Sequence, residues 1–140
     1  MRWTIFWIVA VLAALWNLFG VWDFTQTLAG NQEYLANAPP GMPEWIQAFP
    51  GWRKAVWGLA VAASVLGSFA LLLRRAMAEP LFWATVALML VGFAYDIGFA
   101  AGMNYYGNFG VVFLLFLVAV EASLALYARW AARQGMLRRP

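Results

Sequence analysis

The sequence predicts an all-α polytopic membrane protein, a four-helix transmembrane bundle with both termini on the cytoplasmic side. Two observations carry the fold class. Of 140 residues, 65% are apolar and 11% are charged, whereas an ordinary soluble domain carries roughly 25% charged residues. Most charges also collect at the borders of four long apolar runs, each long enough at about 1.5 Å per residue to cross about 30 Å of hydrocarbon. What remains is loops and short tails, so residues 1–140 are expected to form a single transmembrane domain.

The first run, 3–22, lies between Arg2 and Asp23 and is rich in Ile, Val, Leu, Ala and Trp. A secretory signal also places a basic residue before an apolar run, but its apolar core is normally about 7 to 15 residues. The nearby Ala36-Asn37-Ala38 is followed by Pro39 and Pro40, a poor context for cleavage, so an uncleaved span is expected. From 24 to 54 the composition turns to Thr, Gln, Asn, Gly and Pro, with Ala38-Pro39-Pro40-Gly41-Met42-Pro43 as a strong breaker. This is the one sizeable loop. Pro43 suits a helix start, and a short helix over about 44–49 is predicted. Trp45, Phe49 and Trp52 fall at i, i+4 and i+7, one helical face, which would lie in the headgroup region as aromatic anchors or close over a ligand site as a lid.

The second span, 55–73, is bounded by Arg53-Lys54 and Arg74-Arg75. Ala60, Ser64 and Ser68 recur every four residues with Gly67 beside them, a face small enough for another helix backbone to approach closely. The third span, 80–101, opens at Glu79-Pro80 and contains Asp96, and Gly98 and Gly102 form a GxxxG pair at its far end. Asn104 to Asn108 reads as a short turn at an aromatic interface. The fourth span, 109–128, contains Glu121, and Arg129, Arg133, Arg138 and Arg139 follow it.

Orientation follows from the basic residues. With the amino terminus inside, seven lie inside (Arg2, Arg74, Arg75, Arg129, Arg133, Arg138, Arg139) and two outside, Arg53 and Lys54, which favours N-in, C-in. The pair Arg53-Lys54 runs against that pattern. A weak internal repeat is also visible: Trp22-Asp23 and Tyr95-Asp96 occupy comparable places in spans one and three. Ser68-Phe69-Ala70-Leu71 and Ser123-Leu124-Ala125-Leu126 likewise precede an arginine in spans two and four, as in two hairpins related by a parallel repeat.

With 0 Cys and 0 His, thiolate catalysis, disulfides, His-ligated haem or zinc and Ser-His-Asp triads are excluded. No cofactor or metal is expected. Nor is a nucleic-acid partner, despite the net charge of +3, because the basic residues sit at span ends and form no patch with interleaved aromatics.

An ionisable side chain within a span costs about 2.5 to 3.5 kcal/mol on insertion scales, so Asp96 and Glu121 call for partners. Counting residues from the span ends puts Asn17 near the depth of Asp96, with Asp23 at the interface, a polar cluster that Tyr95 or Tyr105 would reach. The same count puts Glu121 at the level of Ser64 and Ser68, whose hydroxyls can donate to a carboxylate. The two acids then stand at different depths, as steps of a proton or cation path would, or each fixes helix register as a buried hydrogen-bonded group.

The string Trp16-Asn17-Leu18-Phe19-Gly20-Val21-Trp22-Asp23-Phe24-Thr25 resembles a family of small four-span proteobacterial membrane proteins often labelled sugar transporter. Asn31 to Leu35, Phe49-Pro50-Gly51-Trp52 and the tail from Tyr127 to Arg138 share the resemblance. It implies a multi-pass bacterial inner-membrane protein and a transport role, and it supplies no sugar-binding residues. Two functions are therefore expected as alternatives. One is a small transporter, in which Asn17, Asp96 and a Trp-rich outer mouth meet a polar solute and Glu121 couples protons or cations. The other is a non-catalytic accessory that binds lipid or another membrane protein through the small-residue face of span two. Partners besides the bilayer would be a second copy of the chain or another membrane protein. An enzyme is not expected, because the acids are unpaired in depth and no Gly-rich substrate loop accompanies them.

Overall fold

The computed structural model describes residues 1–138; Arg139, counted above among the inner arginines, lies outside them. Among the described residues the chain forms six helices: α1 (Arg2–Leu28), α2 (Gln32–Leu35), α3 (Met42–Gln47), α4 (Gly51–Leu72), α5 (Ala78–Gly98) and α6 (Met103–Arg133). α1, α4, α5 and α6 are each long and apolar enough to cross a membrane. Leu12, Leu15, Phe19, Leu59, Leu66, Val112 and Leu115 are exposed along them, as expected where the surrounding solvent is lipid rather than water.

α1 packs on α4, α4 on α5, and α5 on α6. Close packing is concentrated at the end that carries both termini, where Phe6, Ala10, Ala13, Leu71, Phe82, Ala125, Ala128 and Ala131 form the core. Alanines spaced three apart on α1 and α6 let the helices approach there without large side chains between them. The small face of α4 works the same way. Ala60, Ser64, Gly67 and Ser68 are all buried, Gly67 has the Phe82 ring 3.0 Å from where a Cβ would stand, and Ser68 meets the α1 backbone at Ala13 O, 3.2 Å away. That face is covered by the chain itself, so a partner would have to use another surface.

The carboxy-terminal tail folds back beneath this core. Arg138 N–H donates to Arg74 O at 2.6 Å, Ala76 N–H donates to Arg138 O at 2.9 Å, and Arg74 Nε donates to Met136 O at 2.9 Å. The Arg74 guanidinium also lies over the Trp3 ring, 4.5 Å from its centroid. Arg129 pairs with Glu79 at 2.6 Å.

The helices differ from the apolar runs at the opposite end. α1 continues past Asp23 to Leu28, because Asp23 is satisfied by the Tyr34 hydroxyl and a half-buried, bonded carboxylate does not end a helix. α4 begins at Gly51 after Pro50, so Arg53 and Lys54 belong to its first turn rather than preceding it. α5 stops at Gly98, and Gly102 N–H returns to Asp96 O at 2.7 Å to close the end of the helix. The Gly98–Gly102 pair is therefore not a helix-packing face. Gly98 has nothing within 4 Å of a Cβ position, and Gly102 serves the turn, with Asp96 O 2.6 Å from its Cβ position. α6 is interrupted at Gly107 (φ 57°, ψ −172°), a conformation essentially confined to glycine, so the predicted turn survives as a break that sets Tyr105 and Tyr106 apart from the long span.

The loop between α1 and α4 lies across this end of the bundle and is fastened to it. Gln47 Nε2 donates to Thr27 O at 2.8 Å, and Trp45 Nε1 donates to Ala100 O at 2.7 Å. The predicted aromatic face is divided between two helices by Pro50. Trp45 stacks on Tyr105 with centroids 4.7 Å apart and meets Phe49 edge-on at 4.7 Å, whereas Trp52 sits on α4 and packs against Tyr95. Trp52 is 49% exposed and Phe49 is buried, so the three rings do not form one anchoring surface.

Candidate functional site

Below the loop the four long helices separate around a cavity of about 660 Å³. Its wall takes Trp16, Asn17, Phe19 and Asp23 from α1, Arg53, Trp57 and Ser64 from α4, Thr85 and Met89 from α5, and Phe109, Phe113 and Glu121 from α6. The volume falls within the range of about 300 to 1,000 Å³ typical of small-molecule sites. α1 and α6 meet here through Trp16 and Phe116, edge-to-face with centroids 6.1 Å apart, rather than through close backbone packing.

At the loop end of the cavity an ion pair joins α4 to α5. Arg53 Nε donates to Asp96 Oδ1 at 2.7 Å and Arg53 Nη2 to Asp96 Oδ2 at 2.5 Å. The Tyr106 hydroxyl donates to the same Oδ2 at 3.0 Å. Asp96 is 0% exposed and Arg53 5%. Two glycines and a phenyl ring make room for the pair. Arg53 lies over the Phe49 ring at 5.1 Å. Its Cζ is 2.9 Å from where a Gly92 Cβ would stand, and a Cβ on Gly110 would meet Tyr106 Cβ at 2.8 Å. A two-pronged Arg–carboxylate pair with a third donor is the arrangement in which a buried charge pair is best compensated.

The expected cluster of Asn17, Asp23 and Asp96 does not form. Asp96 is two residues from the end of α5 and Asn17 eleven from the end of α1, a depth difference of roughly 14 Å at the helical rise. The residue count misjudged both ends, because α1 runs on beyond Asp23 and α5 stops short of Ala101. Each acid instead has its own donor: Asp23 accepts from Tyr34 and Asp96 from Arg53 and Tyr106. Tyr95 and Tyr105 do not reach Asp96. Tyr95 is its neighbour on the same helix and points about 100° away, onto Trp52.

Asn17 Nδ2 donates to Ser68 Oγ at 2.8 Å, and Ser68 Oγ faces Ser64 O at 3.0 Å and Ala13 O at 3.2 Å. Ser64 Oγ turns to Val61 O at 2.8 Å. Neither serine donates to Glu121, contrary to expectation, since in a helix a hydroxyl finds its own backbone carbonyl one turn back. Glu121 has Trp16 and Asn17 of α1 beside it and is 3% exposed. Its Oε2 has no hydrogen-bond partner among the described residues. Among the described residues no group of three or more Asp or Glu side chains is placed to hold a metal ion.

Sequence reasoning overlooked Arg53, Tyr106 and Tyr34 as functional partners. Arg53 carried a signal, being half of the basic pair that opposed the charge pattern, and the ion pair explains why. It is a bound partner of Asp96 rather than a free surface charge, and Lys54 beside it donates to Gln47 O at 2.7 Å. No family model, curated protein or solved structure matches the chain.

Proposed function

We propose that this membrane protein carries a small solute, taken into the cavity between its four long helices, with Glu121 as the acid that couples a proton or cation to its passage. The observation that carries this reading is a buried carboxyl with an unpartnered oxygen in the wall of a 660 Å³ cavity. Such a group is costly in a bilayer, and its retention there points to function. By contrast, Asp96 has all the marks of a structural group: it is fully buried and held by three donor contacts, a role that favours register over conduction. A bacterial inner membrane with both termini inside remains the setting that the sequence favours. The acids stand apart, each with different neighbours, which supports binding and passage rather than acid–base hydrolysis.

Proteoliposomes test the reading. Uptake of a panel of radiolabelled sugars, amino acids and organic cations should exceed that of protein-free vesicles for at least one solute, and Glu121→Gln should abolish it without changing the melting temperature by more than a few degrees. Uptake equal to protein-free vesicles across the panel would return the chain to a non-catalytic accessory role.

A further inference from the structure

We infer that the cavity is a binding site for a lipophilic organic cation, which enters sideways from the bilayer between α1 and α6. This rests on the solute-carrier reading and names its substrate class.

Charge comes first. Besides the tyrosines, four acidic or basic side chains lie in or beside the cavity wall. Arg53 and Asp96 cancel through their own two-pronged pair. Asp23 and Glu121 are left, both carboxyls and both in the wall, so among the described residues the hollow holds acids without a free base. Hydrogen-bonding capacity comes second. Ser64 Oγ, Thr85 Oγ1 and Asn17 Nδ2 are engaged with Val61 O, Leu81 O and Ser68 Oγ, and Asp23 with Tyr34. A sugar-like solute would find few vacant partners there, and a buried hydroxyl left unpaired is penalised. Glu121 Oε2 is a buried acceptor without a partner among the described residues. Shape comes third. Trp16 stands beside this acid, Phe19, Trp57, Phe109 and Phe113 line the rest of the same cavity, and aromatic faces attract cations in a desolvated site.

The route follows from exposure. Phe19, Phe109 and Phe113 line the cavity and are also 58%, 86% and 50% exposed, more than the cavity wall of a closed bundle would leave open. Side chains that belong to both surfaces mark a mouth. They lie on the membrane-spanning parts of α1 and α6, so this mouth faces hydrocarbon, where a lipophilic cation partitions and a sugar does not.

Two ions of equal size and opposite charge separate the possibilities. Tetraphenylphosphonium and tetraphenylborate are titrated into the protein in nanodiscs, with empty nanodiscs subtracted and quenching of tryptophan fluorescence as the readout. The cation should bind saturably and the anion should not. Glu121→Gln should weaken the cation by roughly thirtyfold or more, as expected for removal of one partner of a desolvated charge pair, and Glu121→Asp should retain most of the affinity. Should Glu121→Gln fail to fold, the comparison of the two ions on the wild-type protein still decides. Equal binding of both ions, or of neither, overturns the cation site. If neither ion binds while vesicles still take up a neutral solute, the carrier reading survives and the substrate class is wrong. If the cation binds saturably but is not moved into vesicles, the site stands and the carrier reading falls.

Discussion

Arg53 and Asp96 face each other across the α4–α5 interface with two parallel contacts, Nε to Oδ1 at 2.7 Å and Nη2 to Oδ2 at 2.5 Å. Each lies within the first or last turn of its helix, so the pair clamps one end of the α4–α5 hairpin, while the turn around Arg74 closes the other. Removing one partner of such a buried pair leaves an uncompensated charge, at a cost of about 3 to 5 kcal/mol. Asp96→Asn and Arg53→Met should each lower the melting temperature in detergent by many degrees, although the amide keeps the shape of the acid. The double variant Arg53→Met/Asp96→Asn should be more stable than the sum of the single losses implies. Additive losses in this double-mutant cycle would mean that the two residues do not act as a pair.

Gly92 gives an independent reading of the same clamp. Its Cβ position is 2.9 Å from Arg53 Cζ and 3.1 Å from Nη1 and Nη2, so Gly92→Ala must displace a guanidinium that is fixed on both sides. Overpacking of this kind typically costs about 1 to 3 kcal/mol. Gly98→Ala, six residues later with nothing within 4 Å, should be close to neutral. A pair of thermal melts checks this, and equal shifts would show that Arg53 has room to move.

The bundle itself was legible in the sequence, since each long helix takes in most of the apolar run that announced it, and so was the small-residue face of α4. The site was legible in its acids but not in their partners. Helix ends decided that. An apolar run marks where a chain can be buried in lipid, whereas the helix around it ends where backbone groups find other acceptors. Asn17 and Asp96 therefore looked level when the end of α1 was set at Trp22, and are not level once α1 reaches Leu28. The pairing of Arg53 with Asp96 depends on a contact between residues 43 apart, which periodicity alone does not reveal.

Orientation can be tested with the ion pair taken into account. With Arg53 bound to Asp96, Lys54 is the one remaining basic residue at the loop end among the described residues, against Arg2, Arg74, Arg75, Arg133 and Arg138 at the opposite end once Arg129, bound to Glu79, is set aside in the same way, and the bias toward N-in, C-in becomes stronger. Fusions of a periplasm-active reporter after Gln32 should be active, and fusions after Ala78 or at the carboxy terminus inactive. The converse pattern would invert the protein in its membrane.

The tie from the loop to α1 should respond to pH. Burial first, and then the hydrogen bond to Asp23, push the Tyr34 hydroxyl up from 10.0 to about 12. The folded state thus holds this proton more tightly than the unfolded chain does. Its contribution to stability is fully present below about pH 10 and is lost as the pH rises toward 12. Spectrophotometric titration of the wild type should show a phenolate component near 12 that is missing in Tyr34→Phe and displaced downward in Asp23→Asn. A Tyr34 component titrating at 10 in the wild type would mean that the Tyr34–Asp23 bond does not form, leaving Gln47 to Thr27 O as the tie of the loop to α1.

The contact between α1 and α4 turns on Ser68. Asn17 is 4% exposed and Ser68 1%, and Asn17 Nδ2 reaches Ser68 Oγ at 2.8 Å, so truncating the serine leaves a buried amide donor without its acceptor. Orphaning such a group costs about 1 to 3 kcal/mol, while hydrogen bonds between membrane helices average about 0.6 kcal/mol in measured cycles. Ser68→Ala should therefore destabilise the protein by about 1 kcal/mol. Ser123 provides the internal control. It makes the same kind of bond to the carbonyl four residues back, Ala119 O at 2.7 Å, but lies exposed on α6. Ser123→Ala removes a local bond and orphans no buried partner, so its effect should be near zero. Combining Ser68→Ala with Asn17→Leu removes both polar groups and should recover part of the loss, because a matched apolar pair carries no unsatisfied donor. Melting temperatures of the three variants and the wild type in one detergent decide the matter, and a Ser68→Ala variant no less stable than Ser123→Ala would show that the Asn17–Ser68 bond does not hold α1 to α4.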